Sequence, residues 1–228
     1  MIDGMDVHGF INVKAANVTI RNSIVRGGHE RGVSTGLIAD YGFSGLLIED
    51  TEVTPEFPSV YFDGIKGSEF TARRVHVWGT VDSIKVHGDN VLIESSLLEK
   101  TAHYEHDPYQ SNGPTHDDNI QVMRGKNISI IGNTIRDAQN FPVLGAASLG
   151  DTPNLLIANN WLDGGHCTLK LQSLGSYQLH ATVTGNKFGP HRAVSYCPMQ
   201  VEPQVFSIER DNVWESDGTP VPVVRKKY

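Results

Sequence analysis

The chain has 228 residues and a formal net charge of −7; 39% of the residues are hydrophobic and 20% are charged. This composition is typical of one loop-rich globular domain, and the acidic balance argues against nucleic acid as a partner of the whole surface. No apolar run is long enough to span a membrane and no signal peptide follows Met1, which leaves a cytoplasmic protein or a mature exported segment.

One short strand motif recurs along the chain. It is found first at Asn17-Val18-Thr19-Ile20, and related segments begin at positions 45, 69, 90, 127, 154, 180 and 206. Units of this size cannot bury an apolar face alone, so they must stack on their neighbours. An asparagine recurs inside four of the units, which predicts a ladder of stacked amides: Asn133, Asn160, Asn186 and Asn212.

These repeats predict an all-β fold, a single-stranded right-handed parallel β-helix of about eight coils, with residues 1–228 as one domain. A sandwich of antiparallel hairpins is the alternative. Its turn signals, Asn-Gly or Asp-Gly between two strands, are scarce, because Asp63-Gly64 falls inside a recurring strand.

A second recurring strand places a long polar residue after an apolar one. Because side chains alternate between the two faces of a strand, the apolar residues are expected in the core and the polar ones on the surface. His87 extends the polar row and Asn119 flanks it. The row itself is expected to contain one residue from each successive coil: Lys66, Lys85, Gln121, Ala146, Lys170 and Gln200.

The lysines of this row predict a surface for an acidic ligand, because ammonium groups hold carboxylated sugars through charge-assisted hydrogen bonds. Lysines of an ordinary exposed strand are the alternative. Lys66 and Lys85 should lie about 4.8 Å apart and lower each other's pKa, so that Lys85 can act as a base. We accordingly expect Lys85→Ala to abolish activity with little change in melting temperature, since an outward lysine contributes little packing energy.

Three aspartates, Asp63, Asp82 and Asp118, open successive strands of this kind. Buried carboxylates cannot all remain charged and unpaired. Three interpretations stay open: the carboxylates bond to turn amides, they share protons, or they bind calcium through their oxygens. The cofactor prediction is therefore either none or calcium.

The longest interval between repeats contains an insertion at about 101–116 that is rich in titratable and aromatic residues. Such a loop on a rigid scaffold commonly carries function, and a solvated excursion is the alternative. The insertion leads to His116, which is either a general acid or base at a groove or a packed histidine. His166 should lie two coils away, roughly 10 Å along the stack, at the other end of that groove. A C-terminal tail with a solvated basic end is expected from about 215.

The two cysteines begin strands that align residue for residue in successive coils. Cys167 and Cys197 should therefore lie one rung apart, a separation that permits a disulfide. Two stacked buried thiols are the alternative. A bridge would suit an exported protein and would be unusual in a reducing cytosol.

The coil pattern, the asparagine ladder and two segments, Thr115-His116-Asp117-Asp118-Asn119-Ile120-Gln121 and Gly164-Gly165-His166-Cys167-Thr168, carry a family resemblance. They are similar to the pectate-lyase-like right-handed parallel β-helix superfamily, and within it to secreted bacterial β-helix repeat proteins. The resemblance covers nearly the whole chain. It implies secretion and an acidic, uronate-containing polysaccharide as the partner.

The resemblance leads us to expect a polysaccharide lyase that cleaves by β-elimination. Such a reaction needs cations that neutralise the substrate carboxylate, a base, and an acid for the leaving oxygen. Lys85 or His116 is the expected base, and Tyr104, Tyr109 or His106 the expected donor. The expected carboxylate-binding cations are Lys66, Lys85, Lys170 and Arg124.

Two other functions stay open. A polygalacturonase-like glycoside hydrolase would use Asp117 with Asp82 or Asp118 as its carboxylate pair. That family's strands are echoed at Val81-Asp82, Asp117-Asp118 and Gly165-His166, although the histidine strand lies two coils beyond the aspartates. A non-catalytic glycan-binding β-helix is the third function. In each case the protein is expected to be a monomer without a membrane partner.

Overall fold

The computed structural model describes residues 1–226 and shows a parallel β-solenoid of nine turns, close to the eight or so predicted from the repeats. Each turn contributes one short strand to each of three sheets, and every sheet contains nine parallel strands. Apart from a single 3₁₀ turn at Pro108–Gln110, the regular structure of the described residues consists of strands. The all-β parallel solenoid predicted from the repeats is therefore confirmed.

The strands follow one another in the order first sheet, second sheet, third sheet within every turn. The first sheet contains β1 (Ile2–Asp3), β4 (Thr19–Arg21), β7 (Leu46–Glu49), β10 (Phe70–Arg73), β13 (Val91–Glu94), β16 (Ile128–Ile131), β19 (Thr152–Ala158), β22 (Leu179–Thr184) and β25 (Phe206–Arg210). The second sheet contains β2 (Asp6–Val7), β5 (Ile24–Val25), β8 (Glu52–Val53), β11 (His76–Trp78), β14 (Leu97–Glu99), β17 (Thr134–Ile135), β20 (Trp161–Leu162), β23 (Lys187–Phe188) and β26 (Val213–Trp214). The third sheet contains β3 (Ile11–Val13), β6 (Thr35–Asp40), β9 (Phe62–Gly67), β12 (Ile84–Val86), β15 (Asp118–Val122), β18 (Phe141–Gly145), β21 (Leu169–Leu171), β24 (Met199–Val201) and β27 (Val223–Arg225).

The core is a stack of aliphatic side chains that point inward from all three sheets. Ile48 of β7 pairs with Ala72 of β10, which pairs with Ile93 of β13, and all three are completely buried. Burial of one isoleucine side chain contributes roughly 1.5–3 kcal/mol, so the period-two alternation of each strand accounts for much of the cohesion between coils.

The asparagine ladder forms as the repeats predict. Asn160 Oδ1 accepts hydrogen bonds from both the backbone N–H and the Nδ2 of Asn133, at 2.9 and 3.0 Å. Asn186 and Asn212 continue the pattern one and two coils further on. The ladder satisfies buried backbone and amide groups at the bend between the first and second sheets, where unpaired groups would cost free energy.

The segment that the sequence assigns to a C-terminal tail returns to the solenoid. β27 pairs in parallel with β24 and forms the outermost strand of the third sheet. The prediction of a solvated basic end falls partly on Lys227 and Tyr228, which lie outside the described residues. Within residues 1–226 no helix has both the length and the apolar character needed to cross a bilayer.

Cys167 and Cys197 form a disulfide, as their shared register predicts, with their Cα atoms 5.0 Å apart. The bridge links two successive coils of the third sheet and closes a loop with a sequence separation of 30 residues. Both sulfurs are shielded from solvent by the surrounding coils, since Cys167 and Cys197 are buried.

Reduction of this bridge should lower the free energy of unfolding by about 3 kcal/mol, because a cross-link of this span restricts the unfolded chain. Urea unfolding with and without reductant measures the difference. The double variant Cys167→Ala/Cys197→Ala is the matched control and should not respond to reductant. Identical unfolding of the reduced and oxidised wild type would contradict this prediction.

Candidate functional site

The predicted polar row lies along the outer face of the third sheet. The strand pairings place Lys66 beside Lys85, then Gln121, and later Lys170 beside Gln200. The sequence predicts Ala146 at the position between Gln121 and Lys170, and this prediction is wrong.

Leu144 occupies that position, because Val143 pairs with Ile120 and shifts the register by two residues. The segment 143–147 offers apolar residues at two possible registers. Its sequence alone therefore does not reveal which of them faces outward.

The two lysines at the centre of the row are engaged in buried ion pairs. Lys85 Nζ lies 2.7 Å from Asp82 Oδ2, an ion pair that lacks hydrogen-bond geometry, and 3.3 Å from Asp63 Oδ1. Lys66 Nζ lies 2.9 Å from Asp63 Oδ2 and 2.8 Å from Ser34 Oγ. The lysine side chains are only 14% and 18% exposed, so they neutralise the protein's own carboxylates.

The expectation that Lys66 lowers the pKa of Lys85 is wrong. Burial does lower the pKa of Lys85, but the carboxylates of Asp63 and Asp82 outweigh burial and raise that pKa above its usual value. An amine that holds its proton this firmly cannot serve as a base near neutral pH. The raised pKa therefore argues against the prediction that Lys85 acts as a base.

Two of the three stacked aspartates, Asp82 and Asp118, cap the strand of the next coil, whereas Asp63 accepts only from Lys66 and Lys85. Asp82 Oδ1 accepts the backbone N–H of Asp118 at 2.9 Å, and Asp118 Oδ1 accepts that of Phe141 at 3.0 Å. Burial raises the pKa of Asp82 to about 6 and raises that of Asp118 well above its usual range. In Asp63 burial acts in the same direction, but Lys85 and Lys66 outweigh it and lower the pKa.

These contacts favour turn capping over calcium binding. The ammonium group of Lys85 already lies between the carboxylates of Asp63 and Asp82, where a cation would otherwise sit, and the ammonium group of Lys66 pairs with Asp63. Among residues 1–226 no group of three or more His, Cys, Asp or Glu side chains could hold a metal ion. The calcium ligand set predicted from Asp63, Asp82 and Asp118 is not formed.

Asp117 anchors the insertion. Its completely buried carboxylate accepts hydrogen bonds from His103 Nδ1 at 2.8 Å, from Thr115 Oγ at 2.9 Å and from Thr101 Oγ at 3.1 Å. The carboxylate therefore orients the imidazole of His103, which sequence reasoning did not select. The contact joins the two ends of the insertion, and no repeat or motif signals it.

A surface cleft of about 360 Å³ lies where the third sheet passes from β15 to β21. It brings together three predicted site residues, His116, His166 and Lys170, and both histidines are exposed. The prediction that the two histidines border one groove is confirmed. The remaining lining residues are Asn140, Phe141, Leu144 and Gln172.

Lys170 differs from the other lysines of the row. Only 8% of this residue is exposed, and its Nζ lies over the Phe141 ring, 5.3 Å from the centroid. Burial lowers the pKa of Lys170, and the more distant carboxylates of Glu202 and Asp118 offset this only in part. Lys170 is thus the lysine of the row whose environment favours a neutral amine.

Other predicted site residues lie elsewhere. Asn119 is completely buried and donates to Ser83 Oγ at 3.4 Å, so the prediction that it binds substrate is wrong. Arg124 Nε donates to the carbonyl of His87 at 2.7 Å, and both residues line a separate polar pocket. Tyr104 lies within the insertion, where burial raises its pKa.

Tyr109 points toward earlier coils. Its hydroxyl accepts the backbone N–H of Ser34 at 3.3 Å, and its ring meets Tyr61 edge-on, with the ring centroids 6.0 Å apart. The insertion therefore extends from His116, at the cleft, to the side of β6. In this position Tyr109 does not line the cleft that contains Lys170.

His87 should make stability depend on pH. Burial, followed by Lys66 and Lys85, lowers its pKa to about 4, and its buried Nε2 has no hydrogen-bond partner among the described residues. A lowered histidine pKa means that the unfolded chain binds more protons between about pH 4 and 6.5, so His87 adds stability as pH rises through this window. Asp82, whose raised pKa is about 6, acts in the opposite direction.

His87→Gln removes the imidazole, so the loss of stability that Asp82 causes as pH rises should no longer be offset by His87. As pH rises from 4 to 6.5, the free energy of unfolding of the variant should fall by about 1–2 kcal/mol relative to that of wild type, after allowance for the partial exposure of His87. Urea unfolding at both pH values measures this change. His180→Gln, at an exposed position of β22, is the control, and equal slopes for His87→Gln and wild type would contradict the assignment.

In comparisons with known proteins, no family model, curated protein or solved structure matches the chain.

Proposed function

We propose that this protein is a secreted polysaccharide lyase of the pectate-lyase-like superfamily, which cleaves a uronate-containing polysaccharide by β-elimination. The observation that carries the proposal is the cleft in which Lys170, a lysine of lowered pKa, lies beside two exposed histidines. The disulfide between Cys167 and Cys197 supports export, because such bridges persist in oxidising compartments.

The cleft offers groups for each part of the elimination. Neutral Lys170 removes the proton at C5 of the uronate, the C5–H electron pair forms the C4=C5 double bond, and the C4–O4 bond breaks. One imidazole N–H donates a hydrogen bond to the substrate carboxylate, which stabilises the carbanionic transition state. The proton that Lys170 takes up passes to the leaving O4, so Lys170 returns to its neutral form and charge and protons balance. Asn140 and Gln172 supply amides that can orient the sugar.

The buried aspartates favour elimination over hydrolysis. A glycosidase needs two carboxyl groups that face the scissile bond. Asp82, Asp117 and Asp118 are all completely buried, and their oxygens are occupied by backbone, lysine, side-chain amide or insertion contacts. None of these carboxylates lines the cleft, so the hydrolase alternative lacks an accessible acid pair.

A substrate screen tests the proposal. The purified protein is incubated with pectate, alginate, hyaluronan and glucuronan, and both ultraviolet absorbance and reducing ends are followed. Elimination produces both signals, because the new C4=C5 bond is conjugated with the carboxylate. Reducing ends without absorbance would establish hydrolysis, and binding without either signal would establish a glycan-binding protein; each result would overturn the lyase assignment.

A further inference from the structure

A second cavity, of about 280 Å³, lies near the N-terminal end of the third sheet, far from Lys170. Phe10 and Phe62 meet edge-on in its wall, with ring centroids 5.2 Å apart and planes at 71°. Its other lining residues are Asn12, Arg31, Val33 and Thr35. The cavity thus combines an aromatic wall with a small number of polar groups, a composition typical of ligand sites.

Arg31 is exceptional among the arginines of the described residues. The other arginines donate to a carboxylate or a backbone carbonyl, with the exception of Arg210; Arg74 with Asp50 and Arg136 with Glu99 are examples. The guanidinium groups of Arg31 and Arg210 have no hydrogen bond or ion pair within residues 1–226. Arg31 lines a cavity, whereas Arg210 lies at the exposed end of β25, so of these two arginines only Arg31 places an unpartnered guanidinium beside a cavity.

The insertion connects this cavity with the cleft. His116 lines the cleft, and Tyr109 accepts a hydrogen bond from Ser34, whose chain neighbours Val33 and Thr35 line the cavity. Along the outer row, Asn12 and Lys170 are separated by six strand spacings, or about 29 Å. A ligand that reaches both sites must therefore be an extended chain of several sugar residues.

We propose that the Arg31 cavity is a distal subsite that binds a carboxylated sugar of the same polysaccharide chain. The Arg31 guanidinium pairs with the carboxylate through two parallel hydrogen bonds, a geometry that a planar fork provides and an ammonium does not. The Phe10 ring supports the apolar face of the pyranose, and Asn12 and Thr35 bond to its hydroxyls. Only the identity of the polymer rests on the proposed function, because the charge and shape of the cavity are independent of the chemistry at Lys170.

The test is a calorimetric titration with uronate octamers prepared from the same four polymers. Every protein carries Lys170→Met, so that the octamer is not consumed. Arg31→Ala should weaken binding of the recognised octamer roughly tenfold, and Arg31→Lys by an intermediate factor. Arg210→Ala is the matched control and should change the affinity less than twofold. A neutral malto-octaose should bind much more weakly to the parent than the uronate octamer does.

Equal octamer affinities of Arg31→Ala and its parent would overturn the subsite, and so would the absence of binding by all four uronate octamers. An unchanged melting temperature of Arg31→Ala establishes that the exposed position has been altered without loss of the fold. Failure of the lyase proposal is a separate result: no polymer produces ultraviolet absorbance with the wild type, while octamer binding still depends on Arg31.

Discussion

Lys170→Met is expected to reduce the formation of unsaturated product by roughly a hundredfold or more, because removal of a general base typically costs 10²–10⁴ in rate. Methionine preserves the length and the apolar contact of the side chain over Phe141, so the coil should remain folded. The loss should appear in kcat, since the amine acts on the reacting C5–H bond, and initial rates of absorbance increase measure it.

The control for this variant is Lys187→Met, which removes an exposed lysine from β23, outside the cleft. It should retain full turnover. The pH profile gives a second readout: in the wild type the acidic limb, along which activity rises as Lys170 loses its proton, reports this amine of lowered pKa, and this limb should be absent from any residual activity of Lys170→Met. Full turnover by folded Lys170→Met would exclude Lys170 as the base.

Lys85→Met should lower the free energy of unfolding by about 3–5 kcal/mol at pH 7, because it leaves the buried carboxylate of Asp82 without a cation and removes one of the two cations beside Asp63. The ion pairs with Asp63 and Asp82 thus reverse the expectation from the sequence, that removal of Lys85 would impair activity and leave stability intact. Without the ammonium group, the folded-state pKa values of both aspartates rise. The difference in free energy of unfolding between Lys85→Met and wild type should therefore be largest at neutral pH and become smaller as pH falls toward 4.

Lys66→Met is the matched comparison for Lys85→Met. Lys66 pairs with Asp63, which keeps Lys85 as a second partner, so the loss of Lys66 leaves no carboxylate without a cation. Lys66→Met should therefore lower the free energy of unfolding clearly less than Lys85→Met does. Urea unfolding of both variants at pH 4 and 7 provides the measurement, and equal costs for the two would indicate that the network does not depend on Lys85.

The repeats predict the fold well because a solenoid stacks equivalent residues. Ile65, Ile84 and Ile120 lie in successive strands at one register, so the pairing of whole coils follows from the sequence pattern. The error at Ala146 arose where the repeat lacks a polar residue. At that coil Leu144 and Ala146 are both apolar and both buried, and periodicity alone cannot distinguish which of them continues the row.

The candidate site was harder to predict than the fold, because exposure and ion pairing depend on neighbours in other coils. Lys66, Lys85 and Lys170 share one register, yet carboxylates from two coils surround the first two, whereas Lys170 lies over an aromatic ring. Equivalence in sequence thus conceals opposite electrostatic environments. The orientation of His103 by Asp117 depends on how the insertion closes, and no repeat encodes that closure.

The strand position occupied by Asp82 and Asp118 continues through Phe141 to Cys167 and Cys197. The same rung position is therefore ionisable in one half of the solenoid and covalently bonded in the other. Cohesion between the N-terminal coils responds to acidity, and cohesion between the C-terminal coils responds to the redox state of the surroundings. Phe141, which responds to neither, marks the boundary between a proton-sensitive part and a thiol-sensitive part of the third sheet.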